Sequence, residues 1–244
     1  MKLAVAAAAG LLCVSGAAQA QDVVFSPRIG PTLGMYQIDS TLTISDAASG
    51  EVLVSARSDD SWELSYGLQT GFSLAYWDFF GDVAIEYLKV ESDAVDQRTD
   101  VLLTLGYLIG RHWSAFAGYR RGMQGDSAFN DDNFSEAGGF LGAGVGGLEA
   151  GPLLLGASFA YNLSEVDDFL PQGKFDYDGF SLKFSMSPAS MPQHSLQLRY
   201  QRFTGDESNK PVDLDGDGTA DVVIDNVELT ESYVQATYSY AFAF

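Results

Sequence analysis

Cysteine, histidine and basic residues are scarce in this sequence of 244 residues. It has one cysteine, Cys13, two histidines, and 13 Lys and Arg against 33 Asp and Glu, for a net charge of −20. A single cysteine excludes a disulfide within the chain. So acidic a chain is repelled by phosphate, which excludes nucleic-acid binding. Its 13% of aromatic residues also argues against a disordered acidic tail, because disorder goes with few aromatics.

The first twenty residues have the composition of a secretory signal peptide. Lys2 gives a short positive segment, residues 3–14 are apolar, and Ala18-Gln19-Ala20 is a small-x-small cleavage site. The apolar run is too short for a membrane helix of about 20 residues. We therefore expect residues 1–20 to be removed and residues 21–244 to form one domain. Cleavage would also remove Cys13 and Lys2, which leaves a net charge of −21.

Long apolar runs are absent after residue 20, so no transmembrane helix is predicted. Instead, apolar and polar residues alternate. Between Trp62 and Trp77, one parity holds Trp, Leu, Tyr and Phe with one Thr, and the other holds Glu, Ser, Gly, Gln and Ala. Successive side chains of a strand point to opposite faces. One face is therefore apolar with aromatic ends, as in strands that cross a membrane.

The same alternation recurs along the chain and predicts an all-β, transmembrane, antiparallel up-and-down β-barrel. An interior of Gly, Ser, Ala and Gln is too small and polar for the core of a soluble sandwich, but it suits a barrel lumen. We predict ten strands, with eight or twelve as alternatives, each long enough for the ~9–11 residues that a bilayer requires. They cover residues 27–44, 62–77, 82–92, 98–110, 113–124, 137–149, 152–164, 177–187, 194–205 and 230–244.

Long and short connections alternate between these strands, as between the external and periplasmic ends of outer-membrane barrels. Long polar loops are expected at 45–61, 125–136, 165–176 and 206–229, and both termini are expected in the periplasm. Residues 41–45 and 51–57 are expected to extend the first hairpin above the membrane. If they were membrane strands instead, the count would be twelve.

The chain ends in alternating aromatic residues, with a phenylalanine last. This end resembles the assembly signal of bacterial outer-membrane β-barrel proteins, the porin-like and small outer-membrane barrels. The resemblance implies an outer-membrane location, insertion by the barrel-assembly machinery and contact with outer-membrane lipid and lipopolysaccharide. It implies no particular activity. The proposed signal residues are Tyr238, Tyr240, Phe242 and Phe244.

Catalytic residues are not predicted. Barrel enzymes of similar size, of the omptin or lipid A-modifying type, use a histidine at the outer rim. Here His112 and His194 both fall in predicted periplasmic turns. The chain is therefore not expected to be an enzyme, and an outer-membrane hydrolase is the least favoured alternative.

One acidic segment matches the first part of a calcium loop, with acids at positions 1, 3, 5 and 9 and Gly218 at position 6. Ile224 stands where the bidentate Glu of an EF-hand would be, so either Asp225 or Glu228 is expected to substitute for it. The alternatives are a weak Ca²⁺ site, on the order of 10⁻⁴–10⁻³ M, and a solvated acidic loop tip. The candidate ligands are Asp213, Asp215, Asp217, Thr219, Asp221 and Asp225.

Two further sets of charges lie on opposite parities of the strands. The lumen parity carries Arg28, Glu63, Glu86, Arg120, Lys183 and Arg199. These are expected either to pair in a salt-bridge network or to line a selective pore, because buried charges must be compensated. The lipid-facing parity carries Lys89, Arg121 and Arg202 near the external rim. They are expected to reach headgroup phosphates or simply to extend into water.

Three classes of function remain open. A structural or surface-interaction barrel with cation-binding acidic loops is favoured. A narrow porin-like channel for small solutes is the alternative, although ten strands leave little room for a pore. A rim enzyme is the third class. Ca²⁺ is the only cofactor expected.

Overall fold

Almost every described residue lies in a strand or a tight turn. The computed structural model describes residues 23–59, 61–91, 96–125, 134–170, 173–213 and 217–242. None of these ranges contains a helix with the length and apolar character of a membrane span. The strands are β1 (Val24–Asp46), β2 (Val52–Asp59), β3 (Glu63–Tyr76), β4 (Phe79–Val90), β5 (Gln97–Ile109), β6 (Trp113–Gly125), β7 (Phe134–Ala150), β8 (Leu153–Leu170), β9 (Gly173–Pro188), β10 (His194–Val212) and β11 (Val222–Ala241).

Ten of these strands close into a barrel. From β3 onward each strand pairs antiparallel with the next, β1 pairs with β3, and β11 returns to pair with β1. Strand β2 is additional, because among the described residues it pairs with the far part of β1 alone. The predicted ten-stranded up-and-down barrel is therefore confirmed. Closure removes the free sheet edges that an open sheet would leave in the bilayer.

The register fixes the tilt of the strands. Starting at Ser26 and following directly opposite residues once around the barrel, the path returns to β1 at Ile38, twelve residues further along. With strands ~4.8 Å apart and a rise of ~3.3 Å per residue, this stagger corresponds to a tilt of about 40°. Such a tilt is typical of membrane barrels.

The outer face of the barrel wall is apolar and the inner face is polar, which is the reverse of the arrangement in a soluble protein. Large apolar side chains point outward, and Leu105 and Leu141 are 64% and 66% exposed. Aromatic side chains flank this apolar band near both ends of the strands, with Trp62 and Tyr66 at one end and Trp113 at the other. Serine, threonine, glutamine and charged residues point inward and are buried. This distribution fits a wall surrounded by lipid.

The barrel has a turn end and a loop end. The turn end holds the short connections at residues 77–78, 110–112, 151–152 and 189–193. The first residues of β1 and the last residues of β11 lie at the same end. The loop end holds the remaining connections. Two of the long loops predicted there are wrong in extent, because β8 and β9 continue into residues 165–176 and β10 and β11 continue through most of 206–229.

These extensions form because their inward side chains are apolar. Val166, Phe175, Val212 and Val227 are almost fully buried against one another above the polar lumen. Their burial stabilises strands that polar loops would not sustain. Sequence reasoning had assigned this part of the chain to loops because acids alternate with these apolar residues.

The first hairpin also projects from the loop end, as predicted. The far part of β1 pairs with β2, and the turn between them is closed by Asp46. The Asp46 carboxylate accepts hydrogen bonds from the Ser49 hydroxyl at 2.7 Å, the Ser49 amide at 2.7 Å and the Ala48 amide at 3.1 Å. These bonds, first that from the Ser49 hydroxyl, hold the pKa of Asp46 below its ordinary value.

Candidate functional site within the lumen and at the loop end

Near the turn end, an arginine and an aspartate are paired inside the lumen. Arg28 on β1 donates to both carboxylate oxygens of Asp82 on β4, at 2.7 and 2.8 Å. Ser73 on the intervening strand β3 donates to the same carboxylate at 2.6 Å. The bidentate geometry is the strong form of this interaction. Arg28 is only 4% exposed.

Further towards the loop end, a second pair crosses the lumen. Arg199 on β10 bonds to Glu86 on β4 and to the side-chain oxygen of Gln235 on β11. Glu86 is fully buried, so its charge requires this partner. The pair joins opposite walls of the barrel.

The largest charged group lies above these two pairs. We call it the lumen network, and it consists of Arg98, Asp100, Arg120, Glu136 and Glu231. Arg98 reaches three carboxylates, with Nη1 2.8 Å from Glu231, Nη2 3.1 Å from Asp100 and a close contact to Glu136. Arg120 lies 3.1 Å from Asp100 and 2.9 Å from Glu136. Every member is at least 98% buried.

Glu231 is the most heavily bonded carboxylate of the lumen network. It accepts hydrogen bonds from Tyr36 and Gln124 at 2.5 Å each, from Tyr177 at 2.7 Å and from Tyr233 at 3.0 Å. These donors come from four different strands. Glu231 therefore ties much of the barrel circumference to one point in the lumen.

Aromatic and aliphatic side chains cover the lumen network on the loop-end side. Arg120 lies over the ring of Phe203 at 4.3 Å, and Arg98 over the ring of Tyr233 at 4.9 Å, both within cation–π range. Above these rings the lumen is packed with apolar residues. We call this group the apolar plug, and it consists of Tyr36, Ile38, Val90, Val166, Phe175, Tyr177, Phe203, Val212, Ile224, Val227, Leu229 and Tyr233.

The lumen between β4 and β7 also holds aromatic rings, which the expected interior of small residues did not include. The ring of Phe80 lies over Gly106, that of Phe116 over Gly142, and that of Phe140 over Gly118. A β-carbon at each of these glycines would clash with the ring. Glycine in the lumen thus makes room for an aromatic neighbour rather than leaving a wide pore.

The six charges predicted for the lumen parity all lie on the inner face. Arg28, Glu86, Arg120 and Arg199 are buried and paired, as described. Lys183 is half-buried and faces a cavity, and Glu63 is half-buried near the loop end, where it accepts a hydrogen bond from Ser61 at 2.5 Å.

Sequence reasoning missed the other charges of the interior, which are Asp82, Arg98, Asp100, Glu136 and Glu231. Several of them lie within two residues of a predicted strand end, where membrane strands often carry charge. The alternation of residues along the strand nevertheless indicates which face these charges occupy. Arg98 and Asp100 share the parity of Thr104 and Gly106, which marks the lumen face of β5.

The predicted rim cations are exposed on the outer face, since Lys89, Arg121 and Arg202 all point away from the lumen. In the predicted assembly signal, Tyr238 and Phe242 are 45% and 42% exposed on the outer face. Tyr240 packs against Phe242 at 4.9 Å between ring centroids. Phe244 lies outside the described residues.

The predicted calcium segment forms a turn around Gly218, which adopts a φ of 89°. Asp213 accepts from the Gly218 amide and Asp217 from the Thr219 amide, both at 2.7 Å. Asp215 lies outside the described residues.

Two other candidate ligands, Asp221 and Asp225, follow that turn in the chain. Asp225 lies within β11 and hydrogen-bonds to Ser45 of β1, whereas Asp221 is exposed after the turn. Within the described ranges, no group of three or more His, Cys, Asp or Glu is placed to hold a metal. Calcium binding therefore stays a prediction.

Both histidines lie at the turn end. His112 contacts the Gly146 carbonyl through Nδ1 at 3.0 Å, and His194 contacts the Tyr238 hydroxyl through Nδ1 at 2.5 Å. They come from different turns and have separate partners. This arrangement places neither of them at the loop end, where a rim enzyme would need one.

Comparisons of the sequence with family models and with curated proteins give no match. Among solved structures, the chain is similar to the outer-membrane protease OmpT from Escherichia coli, at 11% identity and a TM-score of 0.45, over 89% of this chain and 97% of that one. It is also similar to an outer-membrane channel from Pseudomonas putida F1, at 10% identity and a TM-score of 0.38, over 89% and 96%.

A third similar structure is the outer-membrane protein AlkL in lipid bilayers, at 12% identity and a TM-score of 0.36, over 94% of this chain and 95% of that one. These neighbours are all outer-membrane barrels, but a protease and a channel are among them. In this chain, ten of the described strands close into an antiparallel barrel with an apolar outer face. Its role follows from its own lumen and surface.

Proposed function

We propose that this protein is an integral outer-membrane barrel that is closed to solutes and acts through its external surface. The observation that carries the proposal is the filled loop-end half of the lumen. The lumen network joins opposite walls, and the apolar plug covers it. Among the described residues, buried apolar side chains fill this half of the lumen and oppose the passage of water and ions.

The projecting part of the loop end supplies the surface for contacts. Strand β2 carries Val52, Leu53 and Val54 at 56%, 54% and 43% exposure, and among the described residues it pairs with β1 alone. An exposed strand with one unpaired edge is a site at which an extended partner can add a strand. The acidic turns around it favour cationic partners, including divalent cations.

The placement in the membrane is part of the same proposal. The turn end and both chain termini face the periplasm, and the loop end faces outward, because outer-membrane barrels have short periplasmic turns and long external segments. Lys89, Arg121 and Arg202 then lie on the lipid-facing side towards the external leaflet. Their charges suit the phosphates of lipopolysaccharide.

A narrow channel and a rim enzyme fit these observations less well. A channel requires a continuous polar path, whereas Phe203 and Tyr177 stack at 5.5 Å above the charged residues. A histidine-dependent rim enzyme requires a histidine near the loop end, whereas His112 and His194 lie at the turn end. Neither function is therefore proposed.

Conductance in a planar bilayer tests the closed lumen. We expect the refolded wild type to give no steady ion current above that of the empty bilayer. Phe203→Ala combined with Tyr177→Ala should raise the current, because it opens the apolar plug. Tyr119→Ala, on the outer face at 49% exposure, is the matched control. A steady wild-type current that the double variant does not change would favour the channel instead.

Labelling with a membrane-impermeant maleimide tests the orientation. If Cys13 is removed with the signal peptide, the mature chain has no cysteine of its own. Single cysteines can therefore be introduced at the two ends. Ser49→Cys, in the β1–β2 turn, should be labelled on intact cells, and Ser190→Cys, in the turn between β9 and β10, only after the outer membrane is permeabilised. The reverse labelling pattern would mean that the turn end faces outward, and it would contradict the proposed orientation.

A further inference from the structure

A cavity lined by both polar and aromatic side chains lies in the lumen between the Arg28–Asp82 pair and the lumen network. Its water-accessible volume is about 80 Å³. This is well above the ~10–15 Å³ that a single water requires, so the cavity can hold several waters or one tetrahedral oxyanion. The side chains that matter for its chemistry are Arg28, Asp82, Asn162, Lys183 and Arg199.

Two cations stand side by side on its wall. Lys183 on β9 and Arg199 on β10 are directly opposite each other in the register, and both face inward. Like charges at opposed positions of a sheet destabilise it unless something compensates them. Arg199 is compensated by Glu86, but Lys183 forms no hydrogen bond and no ion pair with any residue in the described ranges.

The carboxylates around the cavity are already engaged. Asp82 is held by both terminal nitrogens of Arg28, and Glu86 by Arg199. Both acids lie near enough to Lys183 to interact with it electrostatically, as do the two arginines. Once these two pairs are formed, Lys183 is the cation of the cavity wall that has no directly bonded carboxylate among the described residues.

Buried donors without acceptors lie in the same wall. Arg28 Nε and Asn162 Nδ2 have no hydrogen-bond partner, although the two residues are 4% and 3% exposed. A buried donor left unpaired destabilises the fold, so such atoms indicate a missing acceptor.

We propose that this cavity is a binding site for a small oxyanion of the size and charge of inorganic phosphate or sulfate. Lys183 supplies the charge, Asn162 Nδ2 and Arg28 Nε supply hydrogen bonds, and Arg199 borders the site. The volume of about 80 Å³ is too small for the acyl chains of a lipid. Because the apolar plug covers the loop-end side, the anion reaches the site from the turn end, which is the periplasm if the proposed orientation holds.

Thermal unfolding of the barrel refolded with graded inorganic phosphate tests the site. Refolding with the anion present means that slow access to a closed lumen cannot hide binding. The wild type should gain melting temperature in a saturable way, and sodium chloride of equal ionic strength should give no such gain. Sulfate should reproduce the effect of phosphate, since both are tetrahedral oxyanions.

Lys183→Met should weaken the apparent affinity for phosphate at least tenfold, because it removes the cation that faces the cavity without a directly bonded carboxylate. Lys89→Met, which removes an exposed cation from the outer face, is the matched control and should bind like the wild type. If Lys183→Met fails to fold, Asn162→Asp provides a nearly isosteric replacement that should abolish binding by repulsion. Folding of each variant is checked by its gel mobility before and after boiling.

Three results would overturn the proposal. The first is a wild type that shows no saturable response to phosphate or sulfate. The second is a response that Lys183→Met or Asn162→Asp leaves unchanged, and the third is a response that chloride reproduces. Each result is independent of bilayer conductance, so failure of the anion site and failure of the closed lumen are distinguishable.

Discussion

The side chains of Arg98 and Glu231 meet in the middle of the lumen, with Nη1 and Oε1 2.8 Å apart. Their strands, β5 and β11, are separated by three strands on one side of the barrel and by five on the other. The contact therefore forms only after the barrel has closed. It joins residues 133 positions apart in the chain.

Removing one side of this contact should destabilise the closed barrel. Glu231→Gln replaces a carboxylate oxygen that accepts hydrogen bonds from Arg98, Tyr177 and Tyr233 with an amide nitrogen that cannot accept them. A buried donor left unpaired costs about 1–3 kcal/mol. We expect urea unfolding in detergent to shift to lower urea by a corresponding amount. Glu228→Gln, on the exposed face of the same strand, should shift it little. Equal midpoints for the two variants would contradict the structural role of Glu231.

The β1–β11 closure should not tolerate a side chain at Gly30. A β-carbon there would lie inside the contact distance of the Tyr238 carbonyl oxygen on β11. We expect Gly30→Ala to destabilise the barrel by about 1–3 kcal/mol or more and to reduce the yield of heat-modifiable protein. Gly139→Ala is the control, because its nearest neighbour would be 3.7 Å away. A normal yield of heat-modifiable Gly30→Ala would contradict the close approach of β1 to β11 at this position.

The acidic turn at residues 213–221 should bind Ca²⁺ weakly if the predicted loop is a site. Millimolar Ca²⁺ would offset the repulsion between its carboxylates and order the turn. We expect isothermal titration to give heat in the wild type and less in Asp215→Asn with Asp217→Asn. Asp206→Asn with Glu207→Gln, which removes two acids from β10, is the control. Equal heat from wild type and the first double variant would leave only a solvated acidic tip.

Assembly should depend on the last residue of the chain. Deletion of Phe244 should reduce insertion in cells, because the aromatic C-terminal strand resembles the signal read by the barrel-assembly machinery. The fraction of barrel that migrates differently before and after boiling measures insertion. Deletion of a residue at the β1–β2 turn, such as Ala48, should leave that fraction unchanged. Loss of the native chain to the soluble periplasm in wild type would contradict the membrane placement.

The sequence by itself determined the wall of the barrel. A side-chain period of two is a local property of each strand, so the apolar parity around Leu68 and the polar parity around Gln69 could be assigned without any partner strand. The alternation also gave the strand count and the projecting first hairpin. The ends of the strands were predicted less accurately. Acids within residues 206–229 are typical of loops, and they stand close to the inward apolar residues Val212 and Val227.

Only the tertiary structure decided what fills the barrel. Which lumen residues meet depends on the stagger of twelve residues around the wall, and that stagger arises when β11 pairs with β1. Local pattern therefore placed Lys183 and Arg199 on the inner face, but it did not show that Arg199 has a carboxylate partner and that Lys183 has none. Charge pairing across a lumen is decided by closure, because the paired atoms come from strands that are far apart in the chain.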